Sequence, residues 1–351
     1  MKAAPLMEGL QKSGDHFETV LVHTGQHYDH NLSQLFFEQL KMPRPDSHLG
    51  VGSDTHARQT ARMMVELEKE LTALEPDLVV VFGDVNSTLA AAIVCAKLGI
   101  KLAHIEAGLR SFDNTMPEEI NRIVTDRLSD LLFVSEDAGL ANLRREGVDE
   151  SKVFFTGNIM IDTLAGHLEA ARTSQVLKEL SLEPRTYAVL TMHRSANVDD
   201  SGVLSRLMGC LAEVSERLPV IFPCHPAAAK RIEEFGILDR RHDGNLRLLQ
   251  PLGYLDFLKL QAESRLVLTD SGGIQAETTY LGIPCITLRT TTELVATVEI
   301  GTNRLCGSDP LMIRSQVDAI LNGGGKRGQI PPLWDGCTAE RIVGVFNKRL
   351  T

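Results

Sequence analysis

The sequence predicts an α/β protein whose strands form two parallel, doubly wound sheets. Short runs rich in β-branched residues alternate with segments that have the spacing of amphipathic helices. The alternation occurs in two series, and a polar stretch at residues 165–184 separates them. Because 351 residues can bury more than one core, each series is expected to form its own lobe.

The first series begins near the N-terminus, and the second follows the polar stretch. In the first series, strands are predicted at residues 19–22, 78–82, 101–105, 131–134 and 153–155, and helices at 60–71 and 87–98. In the second series, strands are predicted at residues 187–191, 220–223, 246–249, 265–269 and 285–288, and a helix at 274–281. The polar stretch has a helical pattern and is predicted to connect the two lobes.

Composition and charge exclude several classes of partner. The formal net charge of -10 argues against nucleic acid or an anionic membrane surface. The six cysteines are scattered without a C-x-x-C pair, which fits a reducing cytoplasm. The sequence has no apolar stretch of about 18 residues and no signal-peptide pattern at its N-terminus. A cytoplasmic protein that binds neither membranes nor nucleic acid is therefore expected.

A glycine-containing stretch in the C-terminal third has the pattern of a nucleotide diphosphate site. We call residues 270–277 the diphosphate cradle; they read Asp270-Ser271-Gly272-Gly273-Ile274-Gln275-Ala276-Glu277. The glycines lie where a predicted strand passes into a predicted helix, and there free N–H groups and the helix dipole favour phosphate. Glu277, an acceptor of hydrogen bonds, suits a pair of ribose hydroxyls. An ordinary turn in which Ser271 caps the helix explains the same residues.

Carboxylates follow strands of the first lobe, where ligands of open α/β sheets bind. Asp84 follows the predicted strand at 78–82, Glu106 follows the one at 101–105, and Glu118 and Glu119 come after Pro117. Such groups can divide acid and base roles when their surroundings separate their pKa values. As alternatives, Asp84 caps the next helix, and Glu118 with Glu119 forms the solvated first turn of another.

Histidines follow strands of the second lobe. His193 with Arg194, and His225 with Pro226, are candidates for phosphate binding or proton transfer. No set of ligands has the spacing of a metal site, and no G-x-S-x-G nucleophile elbow is present, so neither a metal nor a cofactor is expected. A glycine-rich string at 323–328 lacks a preceding strand and is predicted to be a loop rather than a dinucleotide site.

Taken together, the motifs resemble those of the non-hydrolysing UDP-N-acetylglucosamine 2-epimerases. They occur in order along nearly the whole chain: Thr24-Gly25-Gln26-His27-Tyr28, Gly83-Asp84-Val85-Asn86-Ser87-Thr88, His104-Ile105-Glu106-Ala107-Gly108-Leu109-Arg110-Ser111, Met116-Pro117-Glu118-Glu119-Ile120-Asn121-Arg122, Gly157-Asn158, His193-Arg194 with Asn197, His225-Pro226 and Asp270-Ser271-Gly272-Gly273. An ordered set of this kind is far more specific than any one of its members.

The resemblance implies a fold and a reaction. The fold is the glycosyltransferase-B architecture, in which two Rossmann-like lobes hold a nucleotide sugar in a cleft and a C-terminal helix returns to the first lobe. The expected domains are 1–165 with the helix at 337–351, and the UDP-binding lobe at 166–336. The reaction interconverts UDP-N-acetylglucosamine and UDP-N-acetylmannosamine through UDP elimination to a 2-acetamidoglucal and re-addition, and it supplies sugar for cell-surface polysaccharide.

The resemblance also implies site residues and partners. It places catalytic groups at Asp84, Glu106, Glu118 and His193, and leaves open which carboxylate removes the C2 proton. It places substrate-binding groups at Lys2, Arg194, Phe257 (against the uracil), Ser271, Gly272, Gly273 and Glu277 (on the ribose). It suggests a second, activating UDP-sugar site at Gln26, His27, Arg62 and His225. The family is commonly dimeric, so a homodimer is expected.

Two departures from the family pattern leave alternatives open. Family members begin with a strand and an Arg-containing turn, whereas this chain begins at Met1 within the first helix, so the first strand of the N-terminal lobe is expected to be missing. Leu294 stands where the family usually has Arg, which removes a fork-shaped donor. The alternatives are a catalytically silent nucleotide-sugar-binding protein, an epimerase of a related UDP-sugar such as a 2,3-diacetamido uronic acid, and a glycosyl transferase.

Overall fold

The computed structural model describes residues 1–14, 16–25, 39–40, 42–237 and 245–350. The chain divides into two compact units, which are taken one at a time below. Unit 1 comprises Met1–Ala165 and Pro332–Thr351, and unit 2 comprises Gly166–Pro331.

The strands are short, as expected for buried parallel sheets. In chain order they are β1 (Val22–His23), β2 (Ser47–His48), β3 (Leu78–Phe82), β4 (Lys101–Ala107), β5 (Leu131–Val134), β6 (Val153–Phe155), β7 (Ala188–Thr191), β8 (Val220–Pro223), β9 (Leu246–Leu249), β10 (Leu266–Thr269), β11 (Cys285–Thr287) and β12 (Asn303–Leu305).

Helices occupy most of the connections between strands. In chain order the helices of the described residues are α1 (Ala3–Lys12), α2 (His56–Leu74), α3 (Asn86–Leu98), α4 (Pro117–Leu128), α5 (Asp137–Arg145), α6 (Ile159–Arg172), α7 (Val176–Glu179), α8 (Ser195–Val198), α9 (Ser201–Ser215), α10 (Pro226–Glu234), α11 (Tyr254–Ala262), α12 (Gly272–Leu281), α13 (Val295–Glu299), α14 (Pro310–Leu321) and α15 (Thr338–Arg349), with a 3-10 turn at Glu150–Lys152. Among the described residues, no helix is long and apolar enough to cross a membrane.

Unit 1 contains a four-stranded parallel sheet with strands in the order β3-β4-β5-β6, and β1 and β2 form a separate parallel pair. Helices α2 and α3 cover part of this sheet with an apolar core that includes Met63 and Leu102. A second core joins α1 and α15 to the strands, with Leu6, Phe133 and Phe346 in one cluster. The C-terminal helix therefore belongs to the packing of unit 1.

Unit 2 contains a six-stranded parallel sheet with strands in the order β9-β8-β7-β10-β11-β12. This is the strand order of a dinucleotide-binding fold, and the direction of winding reverses between β7 and β10. Side chains that follow β7 and β10 consequently lie at the switch point, where ligands of such sheets bind. The apolar core around Leu190, Phe222 and Leu268 makes these strand ends a fixed platform.

The predicted α/β class with two parallel sheets is confirmed. The predictions did not include β2 (Ser-His) and β12 (Asn-Arg-Leu), because these strands are short and lack the apolar runs by which β6 and β11 were recognised. The predicted capping role of Asp84 is wrong, because Val85 occupies the N-cap position of α3 and no side chain caps that helix. Residues 323–328 form neither helix nor strand, as predicted, and Gly328 lies against the backbone of Gly301.

Candidate active site

Glu106 lies at an irregularity in β4 of unit 1. The register between β4 and β5 shifts between Ile105 and Ala107, and Glu106 has a φ of 75°, in the left-handed region. A residue other than glycine adopts this conformation only where its surroundings hold it there. The bulge leaves the Glu106 side chain 12% exposed, and its Oε2 forms an ion pair with the Lys2 ammonium.

Gly83 leaves the room that this ion pair needs. A Cβ atom at Gly83 would lie 2.8 Å from Lys2 Nζ and 3.3 Å from Glu106 Oε2. The φ of Gly83 is 65°, which also favours glycine. The turn after β3 and the bulge of β4 therefore place Asp84 and Glu106 at one end of the unit 1 sheet, as expected from strand order, and Lys2, which only the resemblance assigned, lies beside Glu106.

Asp84 is held by a buried arginine that connects it to a second carboxylate. One guanidinium nitrogen of Arg122 donates to Asp84 Oδ2 and another donates to Glu119 Oε2. The side chains of Arg122 and Glu119 are 2% and 1% exposed, whereas Asp84 is 26% exposed. Asp84 is therefore the member of the triad that can meet a ligand, and the other two are structural.

Glu119 connects this triad to the turn that follows Glu106. Its carboxylate accepts hydrogen bonds from the backbone N–H of Ser111 at 2.9 Å and of Phe112 at 2.9 Å. The prediction that Glu118 and Glu119 both form a solvated first turn is therefore wrong for Glu119. Glu118 is half-buried in the first turn of α4, after Pro117 at the start of that helix.

In unit 2, Asp270 organises the segment that follows β7. Its carboxylate is fully buried and accepts from the backbone N–H of His193 at 3.0 Å, the backbone N–H of Arg194 at 2.9 Å and Nδ2 of Asn197 at 3.1 Å. Nδ1 of His193 lies 3.1 Å from Asp270 Oδ1. Burial alone would raise the pKa of Asp270, but the His193 side chain and these donors outweigh it, and the pKa is lowered.

The diphosphate cradle begins α12 at the switch point of unit 2. Ser271 occupies the N-cap position, but its side chain makes no capping hydrogen bond, so the capping role predicted as an alternative is wrong. A Cβ atom at Gly272 would lie 2.5 Å from Oε1 of Glu293, so any other residue here would force the Glu293 side chain to shift. Gly273 is half-buried beside it in the first turn. The first turn of α12 therefore presents backbone donors without bulky side chains.

Glu277 is a buried carboxylate one turn further along α12. It is 2% exposed, and among the described residues its Oε2 has no hydrogen-bond partner. Loss of solvent raises the pKa of Glu277 to about 7, although the neighbouring Gln261 side chain opposes the shift. A buried acceptor without a partner is costly, and hydroxyl donors of a ligand would relieve that cost.

Comparison with known proteins assigns the chain to a family. The family model described as UDP-N-acetylglucosamine 2-epimerase matches residues 10–347. The chain belongs to the UDP-N-acetylglucosamine 2-epimerase family. The proteins of this name are isomerases, and the chain is accordingly an enzyme of that class.

Two curated relatives and one solved structure show the breadth of this epimerase family. A UDP-N-acetylglucosamine 2-epimerase of Methanocaldococcus jannaschii is 40% identical, covering 99% of this chain and 95% of the relative. A UDP-2,3-diacetamido-2,3-dideoxy-D-glucuronate 2-epimerase of Pseudomonas aeruginosa is 39% identical, covering 88% of both chains. A crystal structure of the M. jannaschii epimerase in complex with UDP-GlcNAc and UDP has a TM-score of 0.93 and 40% identity, covering 99% of this chain and 96% of that chain.

Of the residues that the epimerase resemblance assigned to a second UDP-sugar site, Arg62 and His225 are among the described ones. Gln26 and His27 lie outside the described residues. In unit 1, Arg62 is exposed and forms an ion pair with Asp54 at 3.0 Å. In unit 2, Nδ1 of His225 accepts from the N–H of Ala227 and caps α10, and its ring lies 6.4 Å from that of His193. Within unit 2 the structure thus brings the two predicted histidines together.

Leu294 is accommodated as a buried apolar residue where the epimerase family usually has Arg. It is 7% exposed and lies 3.8 Å from the position of a Cβ atom at Gly272. Its backbone carbonyl accepts from the N–H and the hydroxyl of Thr297 at the start of α13. The neighbouring Glu293 pairs with Arg289 at 2.8 Å.

The two remaining substrate-binding predictions, Phe257 and Arg194, are half-buried residues of unit 2. Phe257 lies on α11 beside a cluster of apolar residues, and Arg194 follows β7. The supporting groups that the sequence did not identify are Glu119, Arg122 and Asp270. Each was present in a motif, but its role depends on a partner on another element.

Proposed function

We propose that the chain interconverts UDP-N-acetylglucosamine and UDP-N-acetylmannosamine. The observation that carries the proposal is a pair of carboxylates that are each held by a cation, Asp84 after β3 and Glu106 at the bulge of the neighbouring parallel strand β4. Relatives of this name that match almost the full length of the chain support the same activity. A protein that only binds UDP-sugars has no need for acid and base groups held in this way.

The proposed reaction is an elimination followed by an addition. A base removes the proton on C2, the C1–C2 double bond forms, and the electron pair of the C1–O bond leaves with UDP. In the reverse step, the β-phosphate oxygen of UDP attacks C1 of the 2-acetamidoglucal and a proton is added to the opposite face of C2. Atoms and electrons balance without an oxidant or a cofactor. The chemistry requires a base, an acid and a site that stabilises the departing diphosphate.

The groups of unit 1 suit the proton transfers. Glu106, Asp84 and Glu118 are the proposed acid and base groups, and all three are half-buried, whereas the structural carboxylate Glu119 is fully buried. Lys2 pairs with Glu106, and its ammonium is also a donor suited to an anionic oxygen. His193 of unit 2 is a further proposed proton-transfer group, with Nδ1 directed at Asp270.

The groups of unit 2 suit the UDP moiety. The backbone donors at Ser271, Gly272 and Gly273 would hold the diphosphate at the start of α12, and Arg194 supplies a positive charge at the same switch point. Glu277 would accept from the ribose hydroxyls, which would give its unpartnered Oε2 a donor. Phe257 would lie against the uracil, where an aromatic face favours a planar base.

Assembly, regulation and cellular role are part of the same proposal. By analogy with the family, the chain forms a homodimer in the cytoplasm, and its product supplies activated sugar for cell-surface polysaccharide. A second, activating UDP-sugar site that includes His225 and Arg62 is also proposed. The 6.4 Å separation of the His225 and His193 rings supports an influence of a ligand near His225 on His193.

A related UDP-sugar is the second candidate substrate. The observation that favours it is the 39% identity to an epimerase named for a UDP-2,3-diacetamido uronic acid. Both sugars carry the same 2-acetamido group and require the same C2 proton transfer. The two candidates are distinguished by comparing kcat/KM for each substrate with the same purified protein.

The decisive experiment is incubation of the purified protein with UDP-N-acetylglucosamine in deuterated water. Deuterium entry at C2 together with a manno product supports epimerisation. If neither UDP-sugar gains deuterium, the proposed activity is wrong. Release of free N-acetylmannosamine would instead indicate hydrolysis.

A pair of matched variants tests the role of the carboxylates. Glu106→Gln is expected to abolish exchange while UDP affinity stays within about threefold, because the proposed UDP groups lie in unit 2. Glu150→Gln is the control, since Glu150 is exposed and its salt bridge with Arg144 is one of the surface kind that contributes little. Unchanged turnover in Glu106→Gln would remove Glu106 from the mechanism.

A further inference from the structure

A buried histidine lies two residues before Glu106 and takes no part in the chemistry proposed above. His104 is fully buried in β4, and both of its ring nitrogens have partners. Nε2 lies 2.8 Å from the carbonyl oxygen of Gly83, and Nδ1 lies 2.6 Å from Oδ1 of Asp126. The ring therefore bridges the turn that carries Asp84 and the helix α4.

The partners determine where the protons of this ring are. A backbone carbonyl can only accept, so Nε2 carries a proton. One further proton lies between Nδ1 and Asp126, which leaves either an imidazolium beside a carboxylate or a neutral ring beside a carboxylic acid. The other oxygen of Asp126 accepts from Gly108 N–H at 3.0 Å and forms an ion pair with Arg110 at 2.7 Å. These two donors favour the carboxylate.

The balance of charge in the cluster agrees with an imidazolium. Burial would raise the pKa of Asp126, but the charges and hydrogen bonds of His104 and Arg110 outweigh it, and the pKa is lowered. Arg110 also pairs with Glu146 at 2.7 Å. His104, Arg110 and Asp126 are buried, and the half-exposed Glu146 carboxylate at the outer end of the set balances the second positive charge.

The cluster holds both sides of the Glu106 bulge. Gly83 donates its N–H to Ile105 O at 3.0 Å and accepts from His104, so the turn before Asp84 is bonded twice to β4. Asp126 holds His104 on one side of Glu106 and Gly108 on the other. The left-handed conformation of Glu106 is maintained by these contacts, because nothing in its own backbone preference favours it.

We propose that His104 is an imidazolium locked between Asp126 and the Gly83 carbonyl, and that it is the positioning residue that keeps the Asp84 turn and the Glu106 bulge together for the epimerisation proposed above. The charged groups that face the ring in this cluster are Asp126 directly, and Arg110 and Glu146 through Asp126. His104 does not touch the substrate in this proposal, and its effect passes through the backbone that carries the two carboxylates.

The first test is the protonation state of the wild-type protein, measured by NMR of protein with 15N-labelled histidine. A resonance assigned by its absence in His104→Gln should show both ring nitrogens protonated at about pH 7, because each nitrogen faces an acceptor oxygen. A neutral ring with a single protonated nitrogen at about pH 7 would overturn the proposal. This test does not depend on activity, so it is informative even if the proposed reaction is wrong.

The second test separates positioning from general stability. His104→Gln and Asp126→Asn should lower C2 deuterium exchange by about 10- to 100-fold per folded molecule, with UDP affinity unchanged. Asp162→Asn is the matched control, because Asp162 is a buried carboxylate of unit 1 that accepts from Ala339 N–H at 2.7 Å at the start of α15. It should lower the melting temperature but not the exchange rate of the folded protein. Wild-type exchange in both His104→Gln and Asp126→Asn would refute the positioning role.

Discussion

Nδ1 of His193 lies 3.1 Å from the carboxylate of Asp270, and the same carboxylate accepts from the backbone N–H of His193. The two residues follow neighbouring strands at the switch point of the unit 2 sheet, 77 positions apart in the sequence. A histidine held in this way has a defined ring orientation and presents Nε2 to a ligand. The sequence had placed both residues in the site but had not connected them.

Asp270→Asn should therefore impair both folding and activity. The variant loses one acceptor oxygen in a fully buried site that serves several donors, which should cost about 1–3 kcal/mol of unfolding free energy. Exchange at C2 should fall about 10- to 100-fold because the His193 ring loses its orienting partner. Urea unfolding and deuterium exchange measure the two effects, and Asp256→Asn serves as the control in the same unit. If Asp270→Asn retained the wild-type rate of C2 deuterium exchange, orientation of the His193 ring by the Asp270 carboxylate would not be needed for activity.

The lowered pKa of Asp270 also predicts the response to acid. The pKa of the Asp270 carboxyl is lower in the folded protein than in the unfolded chain, where it is about 3.9. The ionised carboxylate therefore stabilises the fold at pH values above about 3.9, and this stabilisation is lost as the pH falls through the folded-state pKa. Wild-type stability should therefore decline below about pH 4 more steeply than that of Asp270→Asn. Thermal unfolding between about pH 3 and about pH 6 tests this, and equal slopes would contradict it.

The raised pKa of Glu277 predicts the opposite pH dependence of stability. Its folded pKa of about 7 lies above its unfolded value, so the fold binds the proton more tightly and loses stability as the pH rises from about 4.3 through 7. At full ionisation the penalty is about 3 kcal/mol. Glu277→Gln should therefore melt at a higher temperature than wild type near pH 8 and at nearly the same temperature near pH 4.

The same variant should bind UDP more weakly. A glutamine amide offers a single acceptor oxygen where the carboxylate offers two for the ribose hydroxyls, and a loss of about tenfold in affinity corresponds to about 1.4 kcal/mol. Calorimetry with UDP measures this change. A variant that is more stable at about pH 8 yet binds UDP as well as wild type would support the burial of Glu277 and refute its ribose contact.

Gly272→Ala tests the first turn of the diphosphate cradle. The new Cβ atom would lie 2.5 Å from Glu293 Oε1, so Glu293 would have to shift within its pair with Arg289. UDP affinity should fall by about tenfold, or about 1.4 kcal/mol. Gly209→Ala is the control, since this helical glycine has no atom within 4 Å of a Cβ position and should gain about 0.5–1 kcal/mol of stability. If both variants bound UDP with the same affinity, the proposal that the first turn of α12 holds the diphosphate would be wrong.

Arg122→Lys tests the bridge between Asp84 and Glu119. An ammonium cannot donate to both carboxylates with the fixed fork of a guanidinium, so one buried charge loses its partner. Loss of a partner in a buried pair costs about 3–5 kcal/mol, and exchange should fall with it. Arg127→Lys on the exposed face of the same helix should change neither quantity. Wild-type stability of Arg122→Lys would show that the bridge is dispensable.

Much of the fold could be predicted because it depends on local patterns. The runs of β-branched residues at Leu78–Phe82 and Leu266–Thr269 became β3 and β10, and the glycines at 272 and 273 began a helix as expected. The pairs β1 with β2 and β11 with β12 were incompletely predicted, because β2 and β12 are short and lack apolar runs.

The candidate site was only partly predictable, because a residue type does not reveal its partner. Asp84 was assigned an alternative capping role that is wrong, since the pairing with Arg122 spans 38 positions. Glu119 looked like a solvated first-turn residue, yet it is buried against Ser111 and Phe112. The left-handed φ of Glu106 has no signature in the sequence, because neighbouring strands and His104 impose it.

The sequence by itself determined the alternation of strands and helices, the position of glycine at a strand-to-helix turn, and the presence of carboxylates and histidines at strand ends. These properties follow from residue chemistry and from periodicity over a few residues. Only the tertiary structure decided which charges meet, which carboxylates stay accessible, and that Glu277 is buried with a raised pKa. The physical reason is that tertiary packing brings together residues that are distant in the sequence. A strand and a helix place His104 against Asp126, 22 positions apart, and two neighbouring parallel strands place His193 against the buried Asp270, 77 positions apart.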